Sequence, residues 1–151
     1  MAGILSRRED GTTFLTINGD LQFDSADERI YHEGLALPSL ALAIERIKRP
    51  LKVLVIGGGD GLIVRELLRC AGQQLHSIDL VDYDPEIVGY ARNELCELNQ
   101  SSLHDRRTHV HIEDAWTFVE RAIASGAKYD LIVSDLTVAE DLTGAKFHSI
   151  D

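Results

Sequence analysis

At 151 residues, with 44% hydrophobic residues and three prolines, the chain is long enough for a single core and too apolar for disorder. Fifteen Lys and Arg stand against 25 Asp and Glu, a formal charge of −10, which argues against a nucleic-acid partner and is compatible with a cationic one. No apolar run approaches the roughly 18 to 20 residues of a membrane span, and Met1 to Arg8 is too short and wrongly ordered for a secretion signal, so a cytoplasmic protein is expected.

Thr12 to Ile17 is rich in β-branched and aromatic residues and stops at Asn18-Gly19, ahead of Asp20-Leu21-Gln22-Phe23. This predicts a β-hairpin within residues 1–24. Ser25-Ala26-Asp27-Glu28 opens a helical pattern through Ile30, Leu35 and Leu37, and a second stretch holds Leu40, Ile44 and Ile47, with Pro38 dividing two helices or kinking one. From Pro50 the pattern is strand, turn, helix, repeated. Leu51 to Ile56 is a short buried strand that runs into Gly57-Gly58-Gly59-Asp60-Gly61, and Leu62 to Leu68 has helical spacing. Ile78 to Asp82 is a second strand; Asp84-Pro85-Glu86 then supplies a cap, a proline at the first helical position and an acid in the first turn of a helix through Ile87, Ala91 and Leu95. Thr108 to Ile112 is a third strand, Ala115 to Ile123 a third helix ended by Gly126, and Tyr129 to Val133 a fourth strand. The alternation makes residues 25–151 an α/β domain with a Rossmann-like, doubly wound parallel sheet, whose ligand site lies at the carboxyl ends of the strands.

Four acids fall at four successive strand ends: Asp60, Asp82, Asp114 and Asp135. The glycine run allows close approach of a ligand, and an acid about 20 residues later is placed to hold ribose hydroxyls. A tight turn followed by a capping Asp is the plainer alternative. An acidic rim repels pyrophosphate and suits a nucleoside with a positive group, such as the sulfonium of S-adenosylmethionine or its decarboxylated form, with Asp82 on the ribose and Asp114 near the adenine amino group. Other features are blander. Cys70 and Cys96 lack CxxC spacing and read as reduced core residues; His109 and His111 share a strand face but no third ligand is indicated, so no metal site is expected. Trp116 and Phe118 read as helix packing, and Arg7-Arg8 and Arg106-Arg107 as solvated surface.

The blocks Asn18-Gly19-Asp20-Leu21-Gln22-Phe23, Asp27-Glu28 with Tyr31-His32-Glu33, Val55 to Gly61, Val81-Asp82-Tyr83-Asp84, Glu113-Asp114-Ala115 and Asp130 to Asp135 together resemble the spermidine synthase family of polyamine aminopropyltransferases. The resemblance covers roughly residues 14–137. It implies a class I methyltransferase-type sheet and transfer of an aminopropyl group from decarboxylated S-adenosylmethionine to a small cationic polyamine such as putrescine, releasing methylthioadenosine. It also implies that Gln22, His32, Gly57, Gly59, Asp60, Gly61, Asp82, Asp114 and Ala115 hold the donor, with Asp60 also on its terminal amine, and that Tyr31 and Asp135 lie beside the attacking nitrogen. Homo-oligomers are common in the family. Val55 stands where methyltransferases usually carry an acid, which disfavours S-adenosylmethionine-dependent methyl transfer, the second reading. Val138 stands where the family usually has a further aspartate, with Glu140 or Asp141 as candidate substitutes; this supports a third reading, a catalytically silent nucleoside-binding or interaction module. The tail around Gly144-Ala145-Lys146-Phe147 resembles the family's gate loop only faintly. In the expected strand order 3-2-1-4 the apolar fourth strand lies at an edge, so the sheet is expected to be incomplete on its C-terminal side, as in a truncated piece, or to pair there with another chain.

Overall fold

A computed structural model of the chain describes residues 3–136. The β-branched run forms β2 (Thr13–Ile17), and Asn18 and Gly19, both at positive φ, turn it into antiparallel β3 (Asp20–Asp24). The predicted hairpin is present, and a third strand joins it: β1 (Gly3–Arg7) pairs antiparallel with β2. With only Ile4 and Leu5 apolar, β1 has no readable periodicity of its own and is defined by its pairing.

The following segment is one helix, α1 (Glu28–Arg46), which continues through Pro38. Pro38 and Gly34, four residues earlier, are both exposed, so the carbonyl that the proline leaves without a helical donor is on the wet side of the helix. The buried stripe of α1 is Glu28, His32, Ala36, Leu40 and Ala43, close to one residue per turn. Its first two members are polar.

Four parallel strands then alternate with helices: β4 (Leu51–Gly57), α2 (Leu62–Ala71), β5 (Leu75–Asp82), α3 (Pro85–Arg92), β6 (Thr108–Ile112), α4 (Ala115–Ala124) and β7 (Leu131–Asp135). Their spatial order is β6-β5-β4-β7, the order expected from the pattern. Val53, Val55, Ile78 and Leu80 face α1 and α2, while Leu54, Ile56 and Val81 face Phe118 of α4. That is why β4, covered on both sides, reads as a continuous apolar run. α3 begins at the predicted cap, with the Asp84 carboxylate accepting from the backbone N–H groups of Glu86 and Ile87, but it ends at Arg92, and Leu95 is buried from the turns beyond it. The N-terminal sheet joins the rest through Leu15 and Phe23, which pack with Leu62, Ile87 and Leu95. Among the described residues β7 is an edge strand, and Ile132 is 59% exposed.

Two readings of single residues need correction. Cys70 is exposed and Cys96 half-buried, so neither is a core residue; both are free thiols, and Cys70 lies off the stripe that α2 buries. Phe118 is buried as expected, but Trp116 is 42% exposed, its indole N–H donating to Glu120.

Candidate active site at the carboxyl ends of the strands

Gly57, the last residue of β4, stands in register with Asp135 of β7, and the glycine loop then passes beside Asp82 of β5. The Gly59 N–H donates to Asp82 Oδ2 at 2.9 Å, and a Cβ at Gly59 would stand 2.6 Å from the same oxygen. Only glycine lets the loop approach this carboxylate so closely. Asp82 Oδ1 accepts from the Asp84 N–H at 2.9 Å, and Asp60 Oδ1 from the Leu62 N–H at 2.9 Å. Gly61, at positive φ, opens α2.

These turns bound a cavity of about 100 Å³. Gln22 of β3, Tyr31 and His32 of α1, Asp60 and Asp135 provide its polar wall, and Leu15, Ile17 and Ile87 its apolar one. The Tyr31 hydroxyl donates to Asp135 Oδ1 at 2.7 Å, and His32 Nε2 stands 4.0 Å from Asp135 Oδ2. Gln22 lies on the wall with its amide donating to the Asp20 carbonyl.

Burial, reinforced by the charge of Asp135, pushes the Asp60 carboxyl up to about 6, against the opposing effects of His32 and the Leu62 N–H. Asp82 is also raised, chiefly by burial and in spite of its two backbone donors. For His32, burial acts downward but is outweighed by its hydrogen bond to Glu28 and the charges of Asp60 and Asp135, leaving the imidazole above its ordinary range. Burial, with the hydrogen bond to Asp135, raises the Tyr31 phenol. Two carboxylates, Asp60 and Asp135, and a histidine line the cavity, with Asp82 beside it behind the Gly59 turn; such a group can bind an ammonium or sulfonium, and a carboxylate there can take a proton from an amine.

Of the acids at the strand ends, Asp60, Asp82 and Asp135 interact with one another. Asp114 does not line the cavity: it is exposed and caps α4, accepting from the Thr117 N–H at 2.9 Å, with Ala115 next in the helix. His111 Nε2 lies 2.8 Å from Asp79 of the neighbouring strand and His109 Nδ1 3.7 Å, while the Tyr129 hydroxyl donates to the other Asp79 oxygen. No cluster of three or more His, Cys, Asp or Glu among the described residues is arranged for a metal ion. Val138, Glu140, Asp141 and the tail from Gly144 to Phe147 lie outside the described residues.

Sequence reasoning missed two supports of the site. Asn99, fully buried, donates to the carbonyls of Asp60 and Ala91, and the Ser102 hydroxyl donates to the Gly61 carbonyl, so the segment after α3 braces the glycine loop. Polar residues in a turn-rich stretch give no signal that they point inward. Glu28, Arg65 and Glu66 form a buried ionic cluster behind His32. Here a signal existed, because Glu28 and His32 occupy the helical spacing of the α1 core stripe.

The family model of the spermine/spermidine synthase domain matches residues 28–150. Polyamine aminopropyltransferase 2 of Bacillus cereus is 40% identical over 123 residues, 80% of this chain and 31% of that protein. Polyamine aminopropyltransferase of Pyrobaculum neutrophilum is 34% identical over 134 residues, covering 89% and 44%. A crystal structure of spermidine synthase in complex with the transition state analogue AdoDATO superposes with a TM-score of 0.81 at 25% identity, over 97% of this chain and 47% of that one. Spermidine synthase from Thermotoga maritima gives 0.76 at 26% identity, over 91% and 44%. The chain thus spans less than half the length of these relatives.

Proposed function

The chain belongs to the spermine/spermidine synthase family, and from that premise we propose that its cleft serves aminopropyl transfer from decarboxylated S-adenosylmethionine to an amine of a polyamine such as putrescine, with methylthioadenosine as the leaving product. The observation that carries the proposal is the grouping of Tyr31, His32, Asp60 and Asp135 around one cavity at the strand ends.

An ammonium has no lone pair with which to attack. Asp135 takes a proton from the acceptor ammonium, and the freed nitrogen lone pair attacks the carbon beside the sulfonium in line with the C–S bond. The C–N bond forms as the C–S pair returns to sulfur, which becomes neutral. Tyr31, bonded to Asp135 Oδ1, orients that carboxylate and lies beside the nitrogen. Asp60 binds the terminal ammonium of the donor, Asp82 the ribose hydroxyls, and Gln22, His32, Asp114 and Ala115 complete the donor site, with Gly57, Gly59 and Gly61 shaping the loop that admits it. The cavity, about 100 Å³, is small and open on one side. That suits an amine terminus or a propyl chain, leaving the nucleoside at the open side near Asp82. Much of the acceleration then comes from holding the two substrates in line.

The relatives are named for aminopropyl transfer, which favours this reading over methyl transfer and over a silent module. We assign residues 1–24 to the N-terminal sheet and 25–151 to the nucleoside-binding domain, and we place the protein in the cytoplasm as a homo-oligomer. No helix among the described residues is long and apolar enough to cross a membrane. Incubation with decarboxylated S-adenosylmethionine and putrescine, followed by mass analysis, tests the function: methylthioadenosine and spermidine are expected in equal amounts, and absence of both refutes turnover by this chain.

A further inference from the structure

The core stripe of α1 starts with Glu28 and His32, where its later turns carry Ala36, Leu40 and Ala43. A buried carboxylate requires partners. On one side Arg65 of α2 grips Glu28 as a fork, Nη1 at 2.8 Å from Oε1 and Nη2 at 3.0 Å from Oε2. Arg65 is in turn held by Glu66 and by the Leu98 carbonyl. On the other side His32 Nδ1 stands 2.8 Å from both the Glu28 carbonyl oxygen and Glu28 Oε2. Two acceptors at one nitrogen leave one arrangement: Nδ1 carries the proton and Nε2 is the nitrogen that titrates. Nε2 is the nitrogen near Asp135.

The groups that face the imidazole are Glu28 on its own helix, Asp60 of the glycine loop, Asp135 of β7, and the Tyr31 ring, edge-on at 5.1 Å between centroids. Arg65 Nη2 and His32 Nδ1 meet on the same Glu28 oxygen, Oε2. We propose that Glu28, clamped by Arg65, is a positioning residue that fixes His32 in the Nδ1-protonated form, so that Nε2 is always the nitrogen offered to the amine end of the cleft. The occupant of the cleft rests on the aminopropyl-transfer reading; the tautomer does not. With Nε2 unprotonated, His32 accepts from an incoming ammonium. In the opposite tautomer an N–H would point at that ammonium even in neutral histidine.

The test is ¹⁵N NMR of the chain labelled at histidine, with and without Glu28→Gln. In the unsubstituted chain the neutral His32 ring is expected to show a protonated Nδ1 and an unprotonated Nε2. Glu28→Gln is expected to mix the tautomers and to lower the proton affinity of Nε2 at least about tenfold. Binding of both cationic substrates, putrescine and decarboxylated S-adenosylmethionine, should then weaken. A protonated Nε2 in the neutral unsubstituted ring overturns the proposal and requires no variant to fold. Tautomer and titration unmoved in a folded Glu28→Gln chain overturn it too. Failure of the unsubstituted chain to bind either ligand would overturn the transfer reading and the role built on it, whereas bound ligands with a mixed tautomer would overturn the positioning alone.

Discussion

Asp60 and Asp135 are the same side chain at two strand ends, and their surroundings give them different work. Asp135 is met by the Tyr31 hydroxyl on one oxygen. Replacing it with Asn keeps that shape but removes the proton acceptor, so Asp135→Asn is expected to reduce turnover by about 10²- to 10⁴-fold while methylthioadenosine still binds, as read by product mass and calorimetry. Asp60 is buried and pushed up to about 6 from an ordinary 3.8. Between those values the unfolded chain has released a proton that the folded chain keeps, so the native state binds more protons and this group makes stability fall as pH rises. His32, whose folded value is raised above its ordinary 6.5, acts in the same direction: its stabilising effect is full below that pH and is lost as pH rises through the folded value. Asp60→Asn should therefore gain stability over the parent as pH rises from about 4 to about 7 in urea titrations, and should weaken binding of cationic ligands. Asp60, Asp82, Asp135 and the glycines were legible in sequence because acids at strand ends fall at a regular place in the chain. That Asp114 caps α4 was not legible, since a capping acid and a ligand-holding acid look alike in sequence.

The elements themselves were read from periodicity where burial is one-sided or complete, and were missed where another segment decides. β4 and the start of α3 follow directly from an apolar run and from Asp84-Pro85-Glu86. β1 was illegible because its partner defines it, and the end of α3 because Leu95 keeps the helical spacing while its backbone has left the helix. Pro38 could divide α1 or lie within it, and only its exposure settles which. Asp84→Ala removes the acceptor for two N–H groups and should cost about 1 kcal/mol in denaturant midpoint analysis. Leu67→Ala, in the fully buried contact of α2 with the sheet, should cost about 2 to 5 kcal/mol.

At the scale of the molecule, the described sheet has an uncovered margin. β7 lies at its edge with Ile132 largely exposed, beside a β4 that is covered on both faces. Such an edge invites pairing, so sedimentation should show concentration-dependent association, and Ile132→Lys should shift it toward smaller species; a stable monomer across concentrations would refute the pairing. The cleft is also a seam. Its ionic groups come from the parallel sheet and α1, whereas Leu15, Ile17 and Gln22 come from the small antiparallel sheet. Chemistry and fit are thus carried by different stretches of the chain, so substitutions in two short strands can reshape what enters the cleft while leaving every carboxylate in place, a division of labour that lets preference diverge without reinventing the reaction.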